Sequence, residues 1–231
     1  MKKKFGDIKL IVHEITPQIV YEEIRNMKDL LASYTTIFNT ANYNRSYNIK
    51  IACERINNTI IMPGDIFSVD SALGARTEEN GYRKAPVIFK NELVSGLGGG
   101  VCQVTTTLYV SVLTSLLEVV ERSPHSLPLS YVPLGQDATI AENSIDFKFR
   151  NNRDYPVCLN AEVEGNKLNI SIFGRSYGLN QEVRLKSKII KVYEPEKPQY
   201  IIDNSVPEGS RIVEEKPKRG YKVAVYREII D

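Results

Sequence analysis

The chain has 231 residues, 42% hydrophobic, 25% charged and 9% aromatic, the make-up of a folded protein with one good-sized domain and room for a small appendage. Lys+Arg 30 against Asp+Glu 28 leaves a formal charge of +2, without the basic footprint that a nucleic-acid partner needs. Cys53, Cys102 and Cys158 are too few and scattered for a disulfide framework, His13 and His125 leave no imidazole metal site, and no apolar run reaches the roughly 18 residues of a membrane span. No metal and no cofactor are expected.

Met1-Lys2-Lys3-Lys4 has the basic character of an export-signal start, but Asp7, Lys9 and His13 break the stretch behind it. The expectation is a protein that works inside the cell, or a trimmed form lacking its signal or anchor. Val20, Ile24, Met27, Leu30 and Leu31 recur at helical spacing and predict a helix ending near Ser33-Tyr34, the end of an extension over 1–31 that packs on the main domain. A second helix is predicted over 44–57, with Ile49, Ala52, Cys53 and Ile56 on one side and Asn57-Asn58 as its stop. Residues 59–69 read as two short extended pieces around Pro63-Gly64.

One strand is expected at 85–89, then a tight turn at Lys90-Asn91-Glu92 and a glycine run, Gly96-Leu97-Gly98-Gly99-Gly100. From 103 to 121, Leu108, Val112, Leu116, Val119 and Val120 form an apolar stripe without Gly or Pro, predicting a central helix that Pro124 ends. Thr105, Thr106 and Thr107 weaken its first turn, so packing must hold it. Strands are predicted at 127–132, 138–141, 144–150, 157–163 and 168–173, the last two as a hairpin across Glu164-Gly165-Asn166. After 174–178 the composition shifts, and 182–192, 211–214 and 221–227 alternate as in a small separate β module over 177–231. The predicted class is α+β: a main domain over 32–176, an antiparallel sheet packed on the central helix, plus a C-terminal all-β module.

The chemistry concentrates at Gly98-Gly99-Gly100-Val101-Cys102-Gln103, which runs directly into the central helix. A thiol there meets unpaired N–H groups and the positive end of the helix dipole, both of which favour thiolate. Gly98, Gly99 and Gly100 remove every Cβ from the approach, and their N–H groups, with Gln103 alongside, are candidate oxyanion donors. The alternative is a buried small residue, Cys102, behind a glycine turn that only joins two layers. His125 is the one histidine after this helix, and Asp137 follows it twelve residues later. Cysteine at a helix start, histidine at a strand start and aspartate on a neighbouring strand permit a thiol–imidazole–carboxylate relay, the logic shared by papain-like and transglutaminase-like cores. His125 read instead as a surface or capping residue, and Asp137 as a turn residue, are the bland alternatives. Asp146 is a rival orienter; His13, Cys53 and Cys158 read as structural. Arg45, Arg76, Arg83 and Arg122 are secondary candidates for an anionic ligand pocket.

The segment 32–174 resembles the VanW domain family, named for an accessory protein of bacterial vancomycin-resistance gene clusters. The matching blocks, in order, are Asn44-Arg45 with Asn48-Ile49, Pro63-Gly64-Asp65-Ile66-Phe67-Ser68, Gly81-Tyr82-Arg83-Lys84-Ala85-Pro86, the run from Gly98 to Leu108-Tyr109, Glu121-Arg122-Ser123-Pro124-His125-Ser126, Tyr131-Val132-Pro133, Gly135-Gln136-Asp137-Ala138-Thr139, and Phe147-Lys148-Phe149-Arg150-Asn151-Asn152. The resemblance implies a setting, the bacterial cell envelope and its response to glycopeptides, rather than a reaction. The tail, with Val206-Pro207-Glu208-Gly209, Arg219-Gly220-Tyr221-Lys222-Val223 and Tyr226-Arg227, resembles a divergent or truncated five-glycine module, which implies a spacer or a binder of glycan polymers. Beside such a family, the N-terminus reads equally as that of a trimmed envelope protein.

Two functions follow as expectations. One is a Cys-His-Asp enzyme of acyl transfer or amide hydrolysis on peptidoglycan-type peptides. The other is a non-catalytic envelope or peptidoglycan-binding module whose glycines and Cys102 serve packing.

Overall fold

A computed structural model describes residues 24–25, 27–89, 92–176, 182–195, 205, 207, 209, 212 and 218–230. Most of the predicted N-terminal helix, and His13, lie outside these. Where the description begins, Met27 N–H closes a turn on Ile24 O, and Leu30 and Leu31 belong not to a helix but to strand β1 (Asp29–Ile37). The correction has a tertiary cause: β1 pairs antiparallel with β9 (Lys167–Gly174), with a bulge between Leu30 and Ala32, and pairing overrides a short helical spacing.

Helix α1 (Tyr43–Ile56) forms as read. Asn42 accepts the Arg45 N–H as its N-cap, and Ile49, Ala52, Cys53 and Ile56 are buried. The extended pieces around Pro63-Gly64 are β2 (Ile60–Ile61) and β3 (Ile66–Ser68), followed by the short helix α2 (Val69–Leu73). The strands β4 (Lys84–Phe89) and β5 (Glu92–Leu97) pair antiparallel; of the expected turn, residues 90–91 lie outside the description.

The central helix, α3, spans Val101–Thr114, shorter than the predicted 103–121. Leu116 turns left-handed (φ 61°), Leu117 is buried, and the chain leaves as strand β6 (Glu118–Glu121), which pairs with β7 (Lys148–Arg150). Val119 and Val120 therefore belong to a sheet, and Pro124 ends nothing helical. Nearly every residue of α3 from Val101 to Leu113 is buried, as in a helix surrounded by the fold. Its threonine hydroxyls bond locally and across layers: Thr105 to Val101 O (3.2 Å), Thr107 to Gln103 O (2.7 Å), and Thr107 with Thr36 of β1 (2.8 Å). The local bonds satisfy the buried hydroxyls, and the bond to Thr36 ties this turn to β1 where propensity alone would leave it weak.

β8 (Val157–Glu164) and β9 form the predicted hairpin, and the order β1-β9-β8-β2 makes a four-stranded antiparallel sheet against α3 and α1. A second sheet runs β3-β7-β6. The class is thus α+β with antiparallel sheets. Between β6 and β7 the predicted strands 127–132 and 138–141 are absent: 127–132 forms bends and coil, and the only ladders there are the isolated bridges Ser123↔Thr139 and Ala141↔Ile145. Pro128 and Pro133 lack the N–H that a ladder needs. Of 144–150, only Lys148–Arg150 is strand. In the tail, β10 (Glu182–Tyr193) and β11 (Gly220–Ile230) pair antiparallel; Leu185 packs against the main core, and Gln136 Nε2 donates to Ser187 Oγ at 3.0 Å. The predicted stretch 211–214 lies outside the description apart from residue 212.

Candidate functional site

The glycine turn places Cys102 in the first turn of α3. Gly100 caps the helix in the left-handed region (φ 113°), where a side chain is strained, and Gly99 lies so close to β4 that an added Cβ would stand 2.6 Å from Pro86 O and 2.8 Å from Ala85 C and O. Asn48 of α1 pins the turn by donating to Gly99 O at 2.9 Å and to Arg83 O at 2.8 Å. Val101 N–H donates to Gly98 O and Gln103 N–H to Gly100 O, while among the described residues the Cys102 N–H between them has no partner. The half-buried sulfur lies 3.5 Å from Thr139 Oγ1 and donates to Ile140 O at 3.6 Å.

His125 reaches the sulfur because the segment after β6 folds back on residues 137–141. Thr139 N–H donates to Ser123 O at 2.9 Å, and the Thr106 hydroxyl of α3 both accepts from Ala138 N–H (3.1 Å) and donates to Ala138 O (3.0 Å). Asp137 Oδ2 then accepts the His125 backbone N–H at 2.7 Å and meets His125 Nδ1 at 2.8 Å. With the carboxylate on Nδ1, the ring's other nitrogen is left free to act on Cys102, and the imidazole and the sulfur shift one another's titration. Cys102, His125 and Asp137 thus come together from α3 and two loop segments.

Each partner shifts the others. Burial by itself would lower the His125 pKa, but the Asp137 carboxylate and the Cys102 sulfur outweigh it and push it up to about 9. For Cys102, burial would raise the thiol; hydrogen bonding and charge from His125, with the Ile140 backbone and Thr139, bring it below its usual value instead. Asp137 is likewise held below the ordinary carboxylate range, burial being overcome by His125 and then by the Arg122 charge. The other two cysteines go the opposite way: burial pushes Cys53 up to about 12 and also raises Cys158. The Cys102–His125 pair is therefore displaced toward thiolate and imidazolium relative to a free thiol and a free imidazole.

The remaining predicted residues take different places. Gln103, expected as an oxyanion donor, is buried with its amide fully used: Nε2 donates to Thr36 Oγ1 (3.0 Å) and Ile37 O (3.1 Å), and Oε1 accepts from Arg45 Nη2 (2.7 Å). It offers no free donor and instead braces Arg45. Gly98 N–H is spent on Arg83 O at 3.3 Å. The expected arginine pocket does not assemble. Arg76 pairs with Asp70, Arg83 stacks on Tyr47 with its guanidinium carbon 3.5 Å from the ring centre, and Asp146 caps α2 through Ser68 and the Asp70 N–H rather than orienting His125. Arg122 holds the Asp137 loop: Nε donates to Asp137 O (2.7 Å), and Nη2 donates to Gly135 O (3.0 Å) and Asp137 Oδ1 (3.2 Å). Thr139, Thr106 and Tyr131, whose phenol is raised by burial and by the nearby Cys102 charge, are not among the expected site residues, although all three stand in the blocks that carry the family resemblance. A cleft of about 490 Å³ opens beside His125 and Asp137, with Tyr221 and Val223 of β11 in its wall. Among the described residues, no three His, Cys, Asp or Glu side chains stand together as a metal cage.

A family model described as VanW like protein matches residues 44–173, a span that contains Arg45, Cys102, His125 and Asp137. The chain is 38% identical over 171 residues to the uncharacterized protein YoaR of Bacillus subtilis (strain 168), covering 73% of this chain and 56% of that protein. It is 32% identical over 116 residues to the Vancomycin B-type resistance protein VanW of Enterococcus faecalis (strain ATCC 700802 / V583), covering 48% of this chain and 42% of that protein. The chain thus spans about half the length of these curated relatives. No solved structure matches it.

Proposed function

The chain belongs to the VanW-like protein family, and from that premise we propose that it is a thiol acyl-transfer enzyme of the bacterial cell envelope, acting on peptides of the peptidoglycan-stem class. Cys102 is the nucleophile, His125 the proton carrier, and Asp137 the positioning residue that fixes the imidazole. The observation that carries this reading is the double grip of Asp137 Oδ2 on His125, at 2.7 Å on the backbone N–H and 2.8 Å on Nδ1, beside a thiol that His125 brings below its usual value.

In the reaction, the Cys102 thiolate attacks the scissile carbonyl carbon and a C–S bond forms. Charge passes to the carbonyl oxygen, where the Cys102 N–H, unpartnered among the described residues, is one available donor. The C–N bond then breaks, and the leaving amine takes the proton of His125. Water or an acceptor amine attacks the resulting thioester, gives its proton to His125, and displaces the thiolate as the C–S bond breaks. Both hydrolysis and transpeptidation follow from this sequence, depending on which nucleophile reaches the thioester first.

The close seat of Gly99 on β4 favours a second reading, in which the turn exists for packing and the domain is a non-catalytic envelope module. Iodoacetamide decides between them. Under the enzyme reading, Cys102 is alkylated at neutral pH far faster than Cys53 and Cys158, and His125→Ala removes the preference. Equal, slow labelling of all three cysteines would leave the non-catalytic reading standing.

A further inference from the structure

Of the four candidate arginines, Arg45 and Arg83 have no carboxylate partner among the described residues, and only Arg45 lies at the start of α3. Arg76 and Arg122 pair with carboxylates, and Arg83 lies against two tyrosines. The Arg45 side chain, by contrast, has a single hydrogen-bonded partner among the described residues, the neutral Gln103 amide oxygen, at 2.7 Å. It is partly buried, its Cγ and carbonyl pack against the Gly100 position, and its charge acts on both Cys102 and Tyr131. Gln103 in turn is locked by Thr36 and Ile37 of β1, so the guanidinium is held in place rather than left to swing. The Arg45 guanidinium thus lies along the first turn of α3, the turn that carries the sulfur.

A cation kept partly out of water beside a nucleophile, braced by a neutral group, lacks the anion that would offset its desolvation. A guanidinium presents a planar fork that matches a carboxylate with two parallel hydrogen bonds. Arg45 packs its Cγ and carbonyl against Gly100 and reaches Gln103 with its guanidinium, so its side chain runs along the turn of α3 that carries Cys102 between them. We infer that Arg45 forms a carboxylate subsite, and that the peptide bound at Cys102 carries a free carboxylate next to the scissile amide. This rests on the thiol reading above and narrows its substrate class to acidic or carboxyl-terminal peptide bonds.

A pair of alkylating reagents separates the two ideas, because iodoacetate carries a carboxylate and iodoacetamide does not. The readout is the ratio of their rates at Cys102, followed by peptide mass spectrometry in the full chain. Arg45→Gln is expected to lower that ratio about tenfold, the loss of one charge-assisted contact; taking the ratio cancels any change in the sulfur's own reactivity that losing the Arg45 charge brings. Arg45→Lys, which keeps the charge, retains part of the preference. N-acetylalanine protects the parent's Cys102 from iodoacetamide, and N-acetylalanine amide does not; this comparison stands even where the Gln variant fails to fold. A ratio unchanged in the Gln variant, or equal protection by acid and amide, overturns the carboxylate subsite and leaves the thiol reading intact. A Cys102 inert to both reagents overturns both.

Discussion

Asp137→Asn tests the site where its geometry is tightest. In the parent, one carboxylate oxygen takes two N–H groups of His125, at 2.7 and 2.8 Å, in surroundings that leave Asp137 9% exposed. Asparagine keeps a single neutral acceptor and brings an NH₂ group that cannot accept from Nδ1–H. The His125 rise from 6.5 to about 9 corresponds to about 3 kcal/mol of preference for the charged ring, shared between Asp137 and the thiolate. Losing roughly half of it lowers the equilibrium constant for protonating the ring about tenfold. The assay is the iodoacetamide rate at Cys102 from about pH 5 to pH 10, with Cys53 and Cys158 as internal references whose thiols burial raises. The parent is expected to react below the ordinary thiol value of 9.0, and the variant's curve to move up toward it. Superimposable curves would refute the claim that Asp137 governs the pair.

The same substitution has a stability signature. Asp137, held below its ordinary 3.8, contributes stability that is present above 3.8 and lost as pH falls through its lowered value. His125, raised from 6.5, contributes stability that is full below 6.5 and lost as pH rises through about 9. The melting-temperature gap between parent and Asp137→Asn is therefore widest between 3.8 and 6.5 and narrows on both sides; a gap constant with pH would contradict it. Gly99→Ala drives a Cβ into the Pro86 and Ala85 backbone and is expected to destabilise by about 1–3 kcal/mol in urea unfolding, whereas Gly165→Ala, open within 4 Å, loses only the left-handed strain of about 1 kcal/mol. Equal losses would show that the β4 contact carries no weight. Gly135→Ala places a Cβ 2.9 Å from Val223 Cγ1 and 3.0 Å from Val225 Cγ2, so β11 must give way. Faster tryptic cleavage at Lys222 and Arg227 is expected, and unchanged cleavage would mean that the tail strands do not rest on the Asp137 loop.

Local signals survive into the structure, and distant ones do not announce themselves. The β8–β9 hairpin and α1 were legible because alternation, a Gly turn and an Asn cap are encoded within a few residues. Leu30 and Leu31 fit a helix period over a short window, but their strand is dictated by β9, far along the chain. The end of α3 was hidden for the same reason: Val119 and Val120 extend an apolar stripe, and only their pairing partner β7 makes them a strand. Cys102, His125 and Asp137 could be picked out because the chain offers so few thiols and imidazoles. The work of Arg122 on the Asp137 carbonyl and of Gln103 on Arg45 could not, since arginine and glutamine have no preferred spacing for bonds made across folded segments.

The two roles weighed for the glycine turn, packing and chemistry, turn out to be physically coupled. Gly99 presses on the backbone of β4, and Gly100 on Arg45 O and Ile49 of α1, so the turn is the point where β4, α1 and the start of α3 meet. Asn48 locks that contact through Gly99 O. From it follow both the position of Cys102 and the path by which the Arg45 guanidinium reaches Gln103. A side chain at Gly99 would have to move β4 or the start of α3, and movement of α3 carries the sulfur away from an imidazole fixed on a separate loop by Asp137 and Arg122. Close packing therefore does not argue against a nucleophile here; it is the means by which the sulfur keeps its distance to His125.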